Sequence, residues 1–204
     1  MPECSLPDSN IIKDVEDCVM LHQWLKEDGQ DGEFSLLFRG TRDGQQTKAF
    51  HSKCDNKGCT LNVIKTMCGK VFGGYSNTAW SSTCGYKEAT KAFLFVLPGG
   101  NNDFSTKNKL KNENDDHAIF CGDTYGPVFG GGNAIKVDGS NRVHIFSGRS
   151  YDQGLLPNGS YTIEEIEVFL VTKSSTPIKN SYSKRIPTKD AFEDVEEVIR
   201  FTMT

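Results

Sequence analysis

No stretch of this sequence stays apolar for the roughly 20 residues that a membrane-spanning helix requires, so insertion into a bilayer is not expected. Neither sign of charge dominates. Lys and Arg number 23 against 27 Asp and Glu, and a net charge of −4 gives no electrostatic footprint for nucleic acid. The opening Met1-Pro2-Glu3-Cys4-Ser5 lacks the basic patch and apolar run of a secretory leader. Pro2 stands where myristoylation needs glycine, and Phe201-Thr202-Met203-Thr204 is no prenylation box. A Walker A lysine motif is missing, which excludes a GTPase module here, and no repeat has solenoid or propeller spacing. Cysteine is present but unpaired in pattern. Cys4, Cys18, Cys54, Cys59, Cys68, Cys84 and Cys121 are odd in number and irregularly spaced, which favours reduced thiols in the cytosol over a disulfide framework. On that reading Asn158-Gly159-Ser160 is a chance sequon.

What remains is an ordinary globular composition. With 204 residues, 36% hydrophobic and 25% charged, the chain suits one domain with short extensions. Twenty glycines and thirteen phenylalanines point to many tight turns around an aromatic core. Residues 11–25 carry a helical stripe (Ile12, Val15, Val19, Leu25) stopped by Gly29 and Gly32. Phe34 to Arg39 reads as a strand ending at Arg42-Asp43-Gly44, and residues 46–54 as a short helix stopped near Asn56-Lys57-Gly58. Strands are expected over 60–66, around 70–72, over 92–97 and over 161–171. A hairpin is expected at Asp138-Gly139-Ser140-Asn141, and a long loop over 98–116 with one short strand. This pattern predicts a mainly β (α+β) fold, a two-layer antiparallel β-sandwich with a few short peripheral helices.

Residues 1–10 read as a flexible N-terminal tail and 11–171 as the folded domain. Residues 172–189 hold five basic side chains, no acidic ones and two prolines, and read as a basic linker. Residues 190–204 read as an acidic amphipathic C-terminal helix, opened by a capping box at Asp190-Ala191-Phe192-Glu193 and striped by Phe192, Val195 and Ile199.

Four patterns invite chemistry. His51-x-x-Cys54-x4-Cys59, with Cys68 beyond, lacks the paired spacing of a zinc site, so no metal is expected. His51 and Cys54 sit at i, i+3, as a thiolate–imidazole pair requires, but no orienting third residue is near in sequence. Gly130, Gly131 and Gly132, like Gly73 and Gly74, read as turns or close approaches, since the Lys-Ser/Thr ending of a phosphate cradle is missing. Glu165 and Glu167 fall on one face of a strand, about 7 Å apart, opposite Ile166, Val168 and Leu170. That spacing allows acid–base work, but the apolar residues opposite favour a solvated face, an acidic strip that a partner protein can read. A direct redox role would need exposed, activated thiols, which sequence does not identify; a reversible Cys54–Cys59 disulfide would need close approach.

Six blocks in order give the chain a relative. Ser35 to Gly44, Ala49 to Leu61, Lys70 to Tyr75 with Trp80-Ser81-Ser82, Lys91 to Phe95, Tyr125 to Gly132 and Ile163 to Phe169 closely resemble the TLDc family, across roughly residues 20–171. Cys59 departs from the proline common there, and the stretch between Gly132 and Tyr151 is short. The resemblance implies a sandwich of two antiparallel sheets with outlying helices, placing a TLDc domain at 11–171. It further implies roles in oxidative-stress resistance and in binding the vacuolar-type proton ATPase, through its head or peripheral-stalk subunits. It brings no cofactor and no reaction. The expected function is therefore a non-catalytic, cytoplasmic protein-interaction module, recruited to the cytosolic face of acidic organelles. Gly73, Gly74, Gly130, Gly131, Gly132, Glu165 and Glu167 are its candidate partner-binding residues. The alternatives are a cysteine- or carboxylate-dependent hydrolase, and a scaffold that does not bind the ATPase.

Overall fold

The computed structural model describes residues 6–100, 103–152 and 157–173. The chain divides into two units, Met1–Lys173 and Ser174–Thr204. The second lies outside the described residues, and with it the acidic helix expected over 190–204 and all but the first two residues of the expected linker.

The first helix, α1, runs Val15–Glu27 and starts where Asp14 caps it, its carboxylate accepting from the Glu16 amide at 2.8 Å. Residues 11–14, expected to be helical, lie outside the helix, with Asp14 in extended backbone. Strand β1 (Gly32–Arg39) leads into a one-turn helix α2 (Gly40–Asp43) and then α3 (Thr47–Cys54). Strands follow at Thr60–Thr66 (β2), Val71–Ser76 (β3), Gly85–Lys87 (β4), Phe93–Leu97 (β5), Thr106–Lys109 (β6), Ile119–Cys121 (β7), Tyr125–Phe129 (β8), Ile135–Asp138 (β9), Arg142–Ile145 (β10) and Gly159–Lys173 (β11). Sequence reading missed β4, β7 and β8. The first two are three residues long, and Pro127 marks the third against strand. A register irregularity between Tyr125 and Val128 accommodates that proline.

Every pairing is antiparallel, and the long β11 belongs to both layers. Its first residues, Gly159–Thr162, pair with β10 in a sheet ordered β4-β7-β8-β9-β10-β11. A bulge at Ile163/Glu165 then turns it into a second sheet, ordered β1-β11-β2-β3-β5-β6. Between the layers lies an aromatic and aliphatic core. Ile64, Phe72, Leu94 and Val168 meet Ile119, Phe129, Ile135 and Val143 there, with Phe50, Cys54 and Trp80 at one end. The mainly β, two-layer expectation stands.

A second apolar cluster covers the outer face of the β1-containing sheet. Leu21, Trp24 and Leu25 of α1 pack on Leu61, Phe93, Phe95 and Phe169, each burial contributing about 1.5–3 kcal/mol. Lys107 ties the helix down, donating to Trp24 O at 2.8 Å and pairing with Asp28 at 2.7 Å. The N-terminal segment joins this layer, with Leu6, Ser9 and Ile12 all buried. The tail expected over 1–10 is therefore part of the domain from Leu6 onward, because its apolar residues complete this cover. At the other end the last strand runs to Lys173, two residues past the expected boundary.

Candidate functional site

Glu165 and Glu167 do share a face of β11, as the alternation predicts, but that face is not solvated. Glu167 is wholly buried. Its carboxylate accepts from Arg39 Nε at 2.8 Å, Asn10 N at 2.7 Å and Ser9 Oγ at 2.6 Å. Arg39 also donates through Nη2 to Asp8 O. Glu165 accepts from the amides of Thr41 (3.1 Å) and Ile166 (3.0 Å) and from Thr41 Oγ1. The glutamates thus fasten the N-terminal segment and α2 to the sheet. The acidic surface strip is corrected to a buried anchoring row: Ser9 and Asn10, unreadable as cover in sequence, donate to Glu167, and Thr41 and Ile166 donate to Glu165.

The glycines are also spent on packing. A Cβ at Gly73 would lie 1.9 Å from Asn62 O, and one at Gly74 would lie 2.7 Å from the Phe129 ring. Gly130 is buried against Tyr151 with φ +84°, and the Gly131 amide donates to Ser150 Oγ at 2.8 Å. Of the seven candidate partner-binding residues, Gly132 alone is exposed. The other six are buried.

His51 is locked as well. Its Nδ1 lies 2.8 Å from Asp55 Oδ1, and its Nε2 faces Tyr125 O at 2.9 Å and Gly122 O at 3.1 Å. Carbonyl oxygens only accept, so Nε2 must donate. Ser82 Oγ donates to the other Asp55 oxygen at 2.6 Å. The serine meets the aspartate, not the imidazole, so no ring nitrogen is left to take a proton from a nucleophile. The network joins α3 to the β7–β8 turn.

The cysteines do not converge with it. Burial pushes the Cys54 thiol well up, so it stays protonated. Cys59 is half-buried and donates to Asn77 O at 3.7 Å. Cys68 is exposed on the β2–β3 turn, where the Thr66 hydroxyl at 3.2 Å lowers its pKa. The one group of three candidate ligand atoms among the described residues is elsewhere, at Asp115, Asp116 and His117 on an open loop. A cleft lined by Phe38, Gln46, Phe50, Pro127, Asn141 and Ile166 measures about 10 Å³, room for one water molecule.

A surface that sequence reading missed is the outer face of the β4-containing sheet. The inward residues Ile119, Phe129, Ile135, Val137, Val143 and Ile145 belong to the core, so Tyr86, Phe120, Val128, Lys136 and His144 point away from it. The buried side chains of α1 belong to the opposite outer layer, and those of α3 to the inner core. Tyr86 on this face is exposed, whereas Val128 is buried. The signal of the face was present in Ile135–Asp138 and Arg142–Ile145, whose polar positions alternate with apolar ones, but Tyr86 and Phe120 sit on the unread strands.

No helix among the described residues is long and apolar enough to cross a membrane. A model of the TLDc domain family matches residues 6–172, most of the chain. No curated protein matches it.

Proposed function

The chain belongs to the TLDc family, and from that premise we propose that it is a non-catalytic interaction module that regulates the vacuolar-type proton ATPase and contributes to oxidative-stress resistance. It works in the cytoplasm, at the cytosolic face of acidic organelles, on head or peripheral-stalk subunits. The observation that carries the reading is a contrast between two surfaces. The residue types suited to catalysis, His51, Cys54, Glu165 and Glu167, are each engaged in holding elements together. Meanwhile the outer face of the β4-containing sheet presents exposed rings at Tyr86 and Phe146, with half-buried Phe120, Lys136 and His144 beside them. Engaged carboxylates favour architecture over acid–base chemistry, and exposed rings favour binding.

The test is affinity capture with the full chain from cytosolic and vesicle extracts, with subunits identified by mass spectrometry. Near-stoichiometric recovery of ATPase head and stalk subunits is expected. Their absence under gentle salt conditions would remove the ATPase from the account.

A further inference from the structure

The outer face of this sheet carries one in-register row, a residue from each strand: Tyr86, Phe120, Val128, Lys136, His144 and Ser160. Tyr86 and Ser160 are exposed, Phe120, Lys136 and His144 are half-buried, and Val128 is buried beneath its neighbours in the row. Rings continue along it. Tyr86 lies 4.3 Å from the His117 ring and 5.0 Å from Phe120, and Phe120 lies 6.3 Å from Tyr125. Lys136 Nζ sits 4.3 Å over Tyr125, and Phe146 stacks on His144 at 6.2 Å. Tyr86 and Phe146 are 43% and 47% exposed, large values for rings in a folded chain.

The charges on this face are unbalanced. Asp138 is already engaged by His144 Nε2 at 2.6 Å and by Ser140. Lys136 and Arg142 form no ion pair among the described residues. Arg142 is instead held along β11 by Ser160, through Nε to Oγ at 2.8 Å and Nη2 to O at 3.1 Å. A guanidinium positioned this way is suited to a carboxylate. The face is thus cationic in the middle, although the chain as a whole carries −4.

We infer that this face docks an extended protein segment in which carboxylates and apolar or aromatic side chains take turns at every second residue, so that both line one side of it, the carboxylates meeting Lys136 and Arg142 and the apolar groups meeting Tyr86, Phe120 and Phe146. The row spans five strand spacings, about 24 Å, or roughly seven extended residues. A phosphate backbone fits less well, because Asp116 and Asp123 are exposed at the margins and repel a continuous run of negative charge. Isolated carboxylates avoid them. The inference rests on the interaction-module reading and names the chemistry of its partner.

The test is an NMR titration of the full chain with three probes: the blocked peptide (Glu-Ser-Tyr-Ser)3, which presents acids and rings on one side when extended, its counterpart with Lys in place of each acid, and a twelve-residue oligo-dT. Only the acidic peptide should shift the amides of β7 to β10. The double variant K136E/R142E should weaken it at least tenfold, whereas K13E/K48E, exposed elsewhere, should not; amide spectra of both variants establish folding. Shifts at another surface, no shift at millimolar peptide, or preferential oligo-dT binding would each overturn the inference. Sedimentation of the same variants with purified ATPase head sector separates the two levels. If the wild type binds the sector and K136E/R142E binds equally well, the docking face is wrong and the function stands. If the peptide binds this face but the sector does not bind, the ATPase assignment is wrong and the face stands.

Discussion

Arg39 Nε, at the end of β1, lies 2.8 Å from Oε1 of Glu167 directly opposite on β11, and Glu167 has no exposure to solvent. A buried carboxylate is tolerable only when hydrogen bonds and a cation compensate its desolvation, and Ser9 and Asn10 add two donors to the Arg39 guanidinium. Glu167→Ala leaves Arg39 without its buried partner and frees the N-terminal segment. A loss of at least about 3 kcal/mol is expected in urea unfolding. The pair R39M/E167L should recover much of it, because removing both charges leaves neither stranded.

Close approach at β3 gives a second expectation. Gly74→Ala drives a methyl to 2.7 Å from Phe129 and 2.9 Å from Leu94, side chains that have limited room to move. The cost should be about 1–3 kcal/mol. Gly73→Ala should cost more, since the obstacle at 1.9 Å is the Asn62 carbonyl, part of the sheet itself. Equal stabilities of the two variants in thermal unfolding would contradict this packing.

Asp138 carries a pH signature. Burial raises its pKa, but hydrogen bonds from the His144 ring, the Ser140 hydroxyl and the amides of Ser140 and Arg142 outweigh it and bring it down to about 2. A carboxylate held below its unfolded value of 3.8 stabilises the fold fully above that value. That contribution is lost as pH falls from about 3.8 through about 2. A carbon-detected titration should place the Asp138 midpoint near 2, and Asp138→Asn should flatten this part of the acid-unfolding curve.

The thiols should differ sharply in reactivity. Cys68 is exposed and its pKa is lowered, first by its hydrogen bond with Thr66, so iodoacetamide should label it quickly near pH 8. Thr66→Val should slow that labelling. Cys18, Cys54 and Cys121 are buried and should react only on unfolding, as peptide mass mapping would report.

Much of this architecture was legible in sequence. The helix at Thr47–Cys54, the strands at β1, β2, β5 and β11, and the Asp138–Asn141 hairpin turn all announce themselves by period or turn chemistry. The alternation placing Glu165 and Glu167 on one face was legible too. What covers that face was not. Ser9 and Asn10 sit 158 and 157 residues away in sequence and look like part of an unstructured polar tail, and only the folded sheet brings them to Glu167. For a similar reason the docking row was invisible, since Tyr86 and Phe120 lie on three-residue strands too short for a period. They become neighbours only through pairing.

Binding of this chain to the proton ATPase is tested most directly by titrating the purified chain into purified ATPase head-and-stalk sector and weighing the products by mass photometry. A discrete complex with a fixed number of chains per sector, saturating at micromolar concentration or below, is the predicted result. Unchanged sector mass at tens of micromolar chain would contradict it.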